Sequence, residues 1–305
     1  MPESKRVHTD KSMSVEARIA ALPDRLQDAT EVGLAAGIVR DQTETVELRA
    51  AVMGRLGGEM KESQEHVDLA IDLLKDASQP AALRVVALKA LQGASFHAPR
   101  LQASQPEFLA ALRESARDAD ADIRQRALSA LAQHKDEFAQ RLLMEGLQNP
   151  AAALLPPEKA VELLAYDIHA EHYPLLRELA TRPPNEATRI QAIRSLAADP
   201  GAAPLLRTIL RNPADSLEAR TRAGHTLRAL DAAAFEVEAK AIIANDAEPD
   251  DLRVTCLMAL TVFGDRANLR KDADLNATAD RLRVDLAGSP LGNAARKFSD
   301  EMRKP

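Results

Sequence analysis

The chain has 305 residues, 46% of them hydrophobic, 28% charged and only 3% aromatic with no Trp, so it is long enough for a row of repeats and poor in strand-forming rings. A formal net charge of -6 argues against a general nucleic-acid binder, whose affinity comes largely from phosphate neutralisation. The single cysteine, Cys256, excludes an internal disulfide and a four-cysteine zinc site, the usage expected of a reducing compartment.

From the start of the chain, MPESKRVHTDKSMS is polar with no apolar core segment, so no signal peptide is predicted and residues 1–13 read as a disordered tail. SVEARIAALPDRLQDAT (14–30) predicts a capping helix pair interrupted at Pro23. A repeating frame then begins. Taking Arg49 as position zero, the same frame returns at Arg84, Arg124, Pro157, Arg189, Arg220 and Arg253, at intervals of 31 to 40 residues. Position +3 reads Val52, Ala87, Ala127, Ala160, Ala192, Ala223, Cys256, and position +7 reads Leu56, Leu91, Leu131, Leu164, Leu196, Leu227, Leu260. These offsets share one helix face, with a small residue where a neighbouring helix approaches and a leucine to fill the groove.

Each of these second helices has start chemistry ahead of it. Pro80, Asp120, Asn185 and Pro249 stand four residues before their zero positions, where a capping side chain or a residue with no N–H suits the first turn. Between them lie other amphipathic stretches: EHVDLAIDLL, EFLAALRESA, EFAQRLLMEGL, YPLLRELA, APLLRTIL and FEVEAKAII. Each repeat is helix, short turn, helix, and no helix can bury its stripe alone. The forty-residue interval containing GASFHAPRLQASQ predicts a longer loop, and the missing arginine at Pro157 predicts a distorted turn. The longest apolar run, Val254 to Gly264, is about half of what a bilayer-spanning helix needs, so a soluble cytoplasmic protein is expected.

The segments DADADIRQRALSAL, EPDDLRVTCLMAL and QPAALRVVALKAL carry a resemblance to the HEAT repeat, in its short bacterial variety also seen in phycobilisome-lyase-type proteins. The resemblance implies an all-α fold, a right-handed α-α superhelix (α-solenoid) of about seven hairpins plus terminal caps. It covers roughly Glu31 to Gly264, within a predicted repeat region over 14–270 that is followed by a degenerate capping copy over 271–305. It also implies that the zero-position arginines pair with turn carboxylates of adjacent repeats as a structural ladder, and that the second helices line a concave face.

Catalytic motifs are not found: the sequence has no Walker loop, dinucleotide fingerprint, nucleophile elbow or CxxC. GRLGG (54–58) follows a second helix and reads as its C-terminal cap. His169 and His172 are a weak metal candidate without an evident third ligand. Cys256 occupies a buried small-residue slot. The absence of any His-Glu dipeptide speaks against the di-iron centre of deoxyhypusine hydroxylase, whereas a cofactor or bilin lyase stays open. Positions +2 and +5 face away from the apolar stripe, and there Arg126, Lys159, Arg194, Arg222 and His225, with Arg228 close by, outline a basic groove interrupted by Glu162. The expected function is a non-enzymatic scaffold or adaptor that binds a protein partner with an acidic segment and needs no cofactor. The alternative is an enzyme or enzyme accessory on the same repeats, directed at nucleic acid or a cofactor.

Overall fold

The computed structural model describes residues 8–26, 28–60, 63–95 and 104–304, and divides into two compact units, Met1–Leu155 and Pro156–Pro305. The described residues form eighteen α-helices and no strand. The first unit holds α1 (Val15–Ala20), α2 (Ala29–Arg40), α3 (Val46–Leu56), α4 (Gln64–Lys75), α5 (Ala81–Ser95), α6 (Gln105–Ser115), α7 (Ala121–Gln133) and α8 (Glu137–Gln148). The second holds α9 (Pro157–Leu164), α10 (Tyr173–Thr181), α11 (Glu186–Ser195), α12 (Ala203–Arg211) and α13 (Leu217–Leu230). It continues with α14 (Ala232–Ala244), α15 (Asp250–Phe263), α16 (Arg266–Lys271), α17 (Ala273–Asp285) and α18 (Pro290–Arg303).

Within each unit the helices pair as antiparallel hairpins and stack in two layers. In the first unit the pairs are α2 with α3, α4 with α5 and α6 with α7, and α3, α5 and α7 lie side by side. In the second they are α10 with α11, α12 with α13, α14 with α15 and α17 with α18, with α9, α11, α13, α15 and α18 forming one continuous layer. This is the α-solenoid packing expected from the repeat frame. All seven residues at +3 and all seven at +7 are buried, none above 4% exposure. Each buried leucine contributes roughly 1.5–3 kcal/mol, so the frame is the core.

The turns carry the predicted caps. Asp120 accepts the amides of Asp122 and Ile123, and Asn185 accepts that of Thr188. Pro249 stands one position outside α15, and Pro80 immediately precedes α5. Residues 1–7, where part of the disordered tail was expected, and most of the longer loop expected at 93–105 lie outside the described residues. In the remainder of that tail His8 is buried, and its carbonyl accepts from Arg18 Nε at 3.0 Å.

The zero-position arginines act as ties. Arg49, Arg84, Arg220 and Arg253 are at most 5% exposed. Each points Nε at the carbonyl of the residue ten earlier: Val39, Leu74, Leu210 and Ile243. Arg189 does the same to Ala180, nine residues earlier. Every one of these carbonyls belongs to the penultimate residue of the hairpin's first helix, where helix oxygens have no intrahelical donor and the dipole favours a cation. The far end of the guanidinium then reaches the turn of the next repeat. Arg49 meets Gln79 at 2.7 Å, Arg84 meets Asp118 at 2.6 Å, Arg189 meets Asp215 at 2.8 Å and Arg220 meets Glu248 at 2.6 Å. The ladder that the family resemblance implied is present, and Arg18, bonded to Glu44, extends it one rung earlier.

Two rungs differ. Arg124 turns its Nε to Leu154 O and its Nη1 to Asp118 O, in its own turn. The Pro157 repeat has no guanidinium to send forward, and the turn it would meet, Arg182–Asn185, has no carboxylate to receive one. There the polarity reverses: Asn185 Nδ2 donates back to Glu158 at 3.2 Å. The turn before α9 is also lengthened by a 3-10 turn at Pro150–Ala152, in line with the predicted distortion, and the boundary between the units falls within it. At the C-terminal end Gly292 takes the zero place in α18, where a Cβ would collide with the carbonyl oxygen of Leu286. Arg253 there pairs within its own turn with Asp246, which Arg281 of α17 also reaches.

A second set of ties, not foreseen from the sequence, joins the first helices. Arg113 bonds buried Asp136, Arg177 bonds buried Asp199 through two contacts of 2.6 Å, and Arg207 and Arg211 both bond buried Glu238. Lys240 adds a contact to Asp272 at 2.8 Å. Arg177 and Arg207 occupy equivalent places in YPLLRELA and APLLRTIL.

Replacing one member of a buried pair strands the other, at a cost of about 3–5 kcal/mol for a charged partner. Arg220→Met should therefore lower the urea stability of the chain by at least about 2 kcal/mol, whereas Arg222→Met, two residues away and on the open face, should change it by less than about 0.5 kcal/mol. A second expectation concerns acid. The hydrogen bonds from Arg177 hold the Asp199 pKa below the ordinary value despite burial. The stabilisation it adds is thus complete above the unfolded pKa, about 4, and is lost as the pH falls through the folded pKa. Asp199→Asn should flatten the acid limb of a plot of urea midpoint against pH; an unchanged limb would contradict this assignment.

Candidate functional site

No residue at +2 or +5 of the second helices is buried, so these columns form the open face that the frame predicts. The basic candidates on it are not equivalent. Arg126 belongs to the first unit and is bound by Asp122 one turn earlier, at 2.8 Å. Lys159 is bound by Glu162 at 2.8 Å. Each is ion-paired with a carboxylate one turn away on its own helix, whereas Glu218, four residues before Arg222, forms no ion pair with it.

Arg194, Arg222 and Arg228 differ. Every other arginine of the second unit donates a hydrogen bond or sits in an ion pair. Among the described residues these three pair with no carboxylate. The buried Nε of Arg222, like those of Arg126 and Arg283, donates no hydrogen bond; what sets Arg222 apart is that it has no ion pair either. Arg228 lies over the ring of Phe263, 3.9 Å from its centroid, a contact worth about 1 kcal/mol that leaves its outward N–H groups available. Arg222, His225 and Arg228 follow one another at intervals of three along α13, and Arg194 stands at +5 of neighbouring α11. The protein packed around His225, and next the charges of Arg222 and Arg228, lower its pKa, so the imidazole is neutral near pH 7.

Two cavities open in this layer of the second unit. One, of about 410 Å³, has Arg228, Phe263, Glu236, Asp265 and Asn268 on its walls. The other, of about 520 Å³, is bounded by Glu162, Tyr166 and Ile168 at the end of α9 and by Gln191, Arg194 and Ser195 of α11. Tyr166 and Phe263 are 48% and 61% exposed in a chain with two Tyr and six Phe. Sequence reasoning passed over both rings. The signal was their place just beyond the last buried leucine of their helices, Leu164 and Leu260, where a ring has no core to fill.

The remaining candidates have structural explanations. His172 is buried, and its Nδ1 accepts the His169 amide at 3.2 Å, while His169 Nε2 lies 3.1 Å from Asp167. The His172 ring is thereby committed to holding the start of the 3-10 turn Ala170–His172, and no group of three ligating side chains forms among the described residues. In GRLGG, Gly57 does follow the last residue of α3, but with an ordinary right-handed φ of −53°. Its role is close approach: a Cβ there would come within 3.0 Å of Ala90 Cβ on α5. No described helix is long and apolar enough to cross a membrane.

No family model and no curated protein matches the chain. Among solved structures, an engineered protein aligns over all of both chains with 12% identity and a TM-score of 0.45. Human deoxyhypusine hydroxylase in complex with glycerol aligns over 81% of this chain and 98% of its own, with 17% identity and a TM-score of 0.33. The CpcE–CpcF complex of phycocyanin lyase from Nostoc aligns over 92% of this chain and 98% of its own, with 17% identity and a TM-score of 0.28.

Cys256 is 2% exposed, and burial, followed by the Glu248 charge, pushes its thiol up to about 12. It should resist alkylation by iodoacetamide in the native chain at pH 8 and react only as the second unit unfolds. Labelling of the folded protein at the rate of a free thiol would refute that placement.

Proposed function

We propose that the chain is a non-enzymatic, HEAT-like scaffold that binds an acidic segment of a protein partner along the open face of α11 and α13. The supporting observation is the contrast in arginine pairing. Sixteen arginines lie in the second unit, and the three without an acceptor of their own, Arg194, Arg222 and Arg228, all stand on the exposed side of two adjacent helices. A guanidinium left free beside apolar surface is a ready donor to a carboxylate, and its planar fork favours bidentate contact. Arg126 and Lys159, satisfied by Asp122 and Glu162, have no such role in this reading, and the basic groove narrows to Arg194, Arg222 and Arg228 with neutral His225 among them.

The test is binding of a fluorescent polyglutamate peptide to the full chain at several salt concentrations. Arg194→Glu and Arg222→Glu should each weaken binding by about tenfold or more and reduce its salt sensitivity, whereas Arg126→Glu should leave it unchanged. Equal affinity for all three variants, with the circular dichroism intact, would remove the proposal. Tighter binding to a DNA oligonucleotide than to the peptide, with a steep salt slope, would replace the partner by nucleic acid.

A further inference from the structure

The two cavities of the second unit share a composition that the arginine pairing alone does not explain. Each places one exposed aromatic ring beside one unpaired guanidinium: Tyr166 with Arg194, and Phe263 with Arg228. Each also contains carboxylates, but these are already engaged. Glu162 is held by Lys159 at 2.8 Å, Glu236 is held by Lys240 at 2.7 Å, and Asp265 accepts the amides of Ala267 and Asn268 as the cap of α16. Glu162 and Glu236 are thus ion-paired and Asp265 is engaged as a helix cap, so in each cavity the guanidinium is the charged group with no hydrogen-bond or ion-pair partner among the described residues, and the ring is its exposed apolar wall. A site of this kind fits an apolar side chain that lies next to a carboxylate.

The cavities also occupy equivalent places in the repeat. The first opens between the end of α9 and α11, and the second between the ends of α13 and α15 with the start of α14 and Asn268 of α16 completing its wall. They are separated by two helix-to-helix steps of one layer, about 16–20 Å at ordinary packing distances. An extended chain covers that span in about five or six residues. Arg222 and His225, on α13, lie on the helices between them.

Building on the acidic-segment reading above, we infer that the partner segment is bipartite: an extended stretch with two apolar anchors about six residues apart, each flanked by Asp or Glu. One anchor seats against Tyr166 and the other against Phe263, with acidic residues between them passing Arg222. The rings supply apolar contact, and the guanidinium beside each ring selects anchors that carry a neighbouring negative charge. A uniformly acidic segment would use the charges and leave both cavities unfilled.

The experiment uses the full chain and synthetic peptides of equal length and charge. One has leucines six apart within a glutamate background, one has them three apart, and one replaces both by alanine. The six-spaced peptide should bind at least about tenfold more tightly than the alanine peptide, and the three-spaced peptide should lose most of that gain. Tyr166→Ala and Phe263→Ala, both at exposed positions and checked by circular dichroism, should each abolish the gain in affinity from one anchor. Equal binding of all three peptides, still weakened by Arg222→Glu, would overturn the two-anchor inference and leave the acidic-segment reading standing. Absence of binding by every peptide would overturn both.

Discussion

A guanidinium that caps one helix and reaches the next turn is the contact on which this architecture depends. A hairpin of two amphipathic helices cannot bury its own stripe, so each repeat needs its neighbours at a fixed offset. Apolar packing of Ala and Leu supplies attraction but constrains sliding weakly, since one row of leucines resembles the next. The buried arginine adds direction. Its Nε must find the penultimate carbonyl of its own first helix, and its far end must find a turn carboxylate or amide about thirty residues later. Both acceptors are set by the backbone, so the register between neighbouring hairpins is set too. The charge is costly to bury alone and is tolerated because its Nε meets a helix carbonyl and its far end a turn side chain.

This division of labour also separates structure from function on one helix. At position zero the arginine is buried and bonded at both ends of its guanidinium, as at Arg220. Two residues on, Arg222 sits on the opposite side of the same turn and has no acceptor. Residue type is identical at the two places and the chemistry is not. What differs is the face of the helix and whether a turn of the next repeat stands within reach. Arg126 and Arg222 share a position in the frame and each has a carboxylate four residues before it, Asp122 and Glu218, but only Asp122 forms an ion pair with its arginine.

The sequence made the core legible because burial in a helix is periodic. Ala127 and Leu131, or Ala223 and Leu227, announce one face without reference to anything distant. Capping was legible for the same reason, since Asp120 and Asn185 act on amides two or three residues away. Charge pairing was legible only where partners lie within a turn or follow the repeat. The bond from Arg177 to Asp199, and the convergence of Arg207 and Arg211 on Glu238, join positions with no periodic relation to the apolar frame. Arg126 and Lys159, placed in the basic groove from the sequence, each have an ion-pair partner within one turn, Asp122 and Glu162. The two rings that flank the unpaired arginines went unnoticed, because an aromatic residue at a helix end reads as core until its exposure is known.

The reversed rung at Pro157 bears on how the first cavity behaves. Helix α9 is the shortest of the second helices, and it is fastened forward by a neutral amide donating to Glu158 where its neighbours use a charged, buried tie. Tyr166 and Glu162 hang from that helix, while Arg194 stands on α11, which is secured at both ends of the Arg189 guanidinium. One lip of the opening is therefore compliant and the other stiff. An incoming side chain of unusual bulk would be accommodated by displacement of the tyrosine lip, with the arginine held at its post.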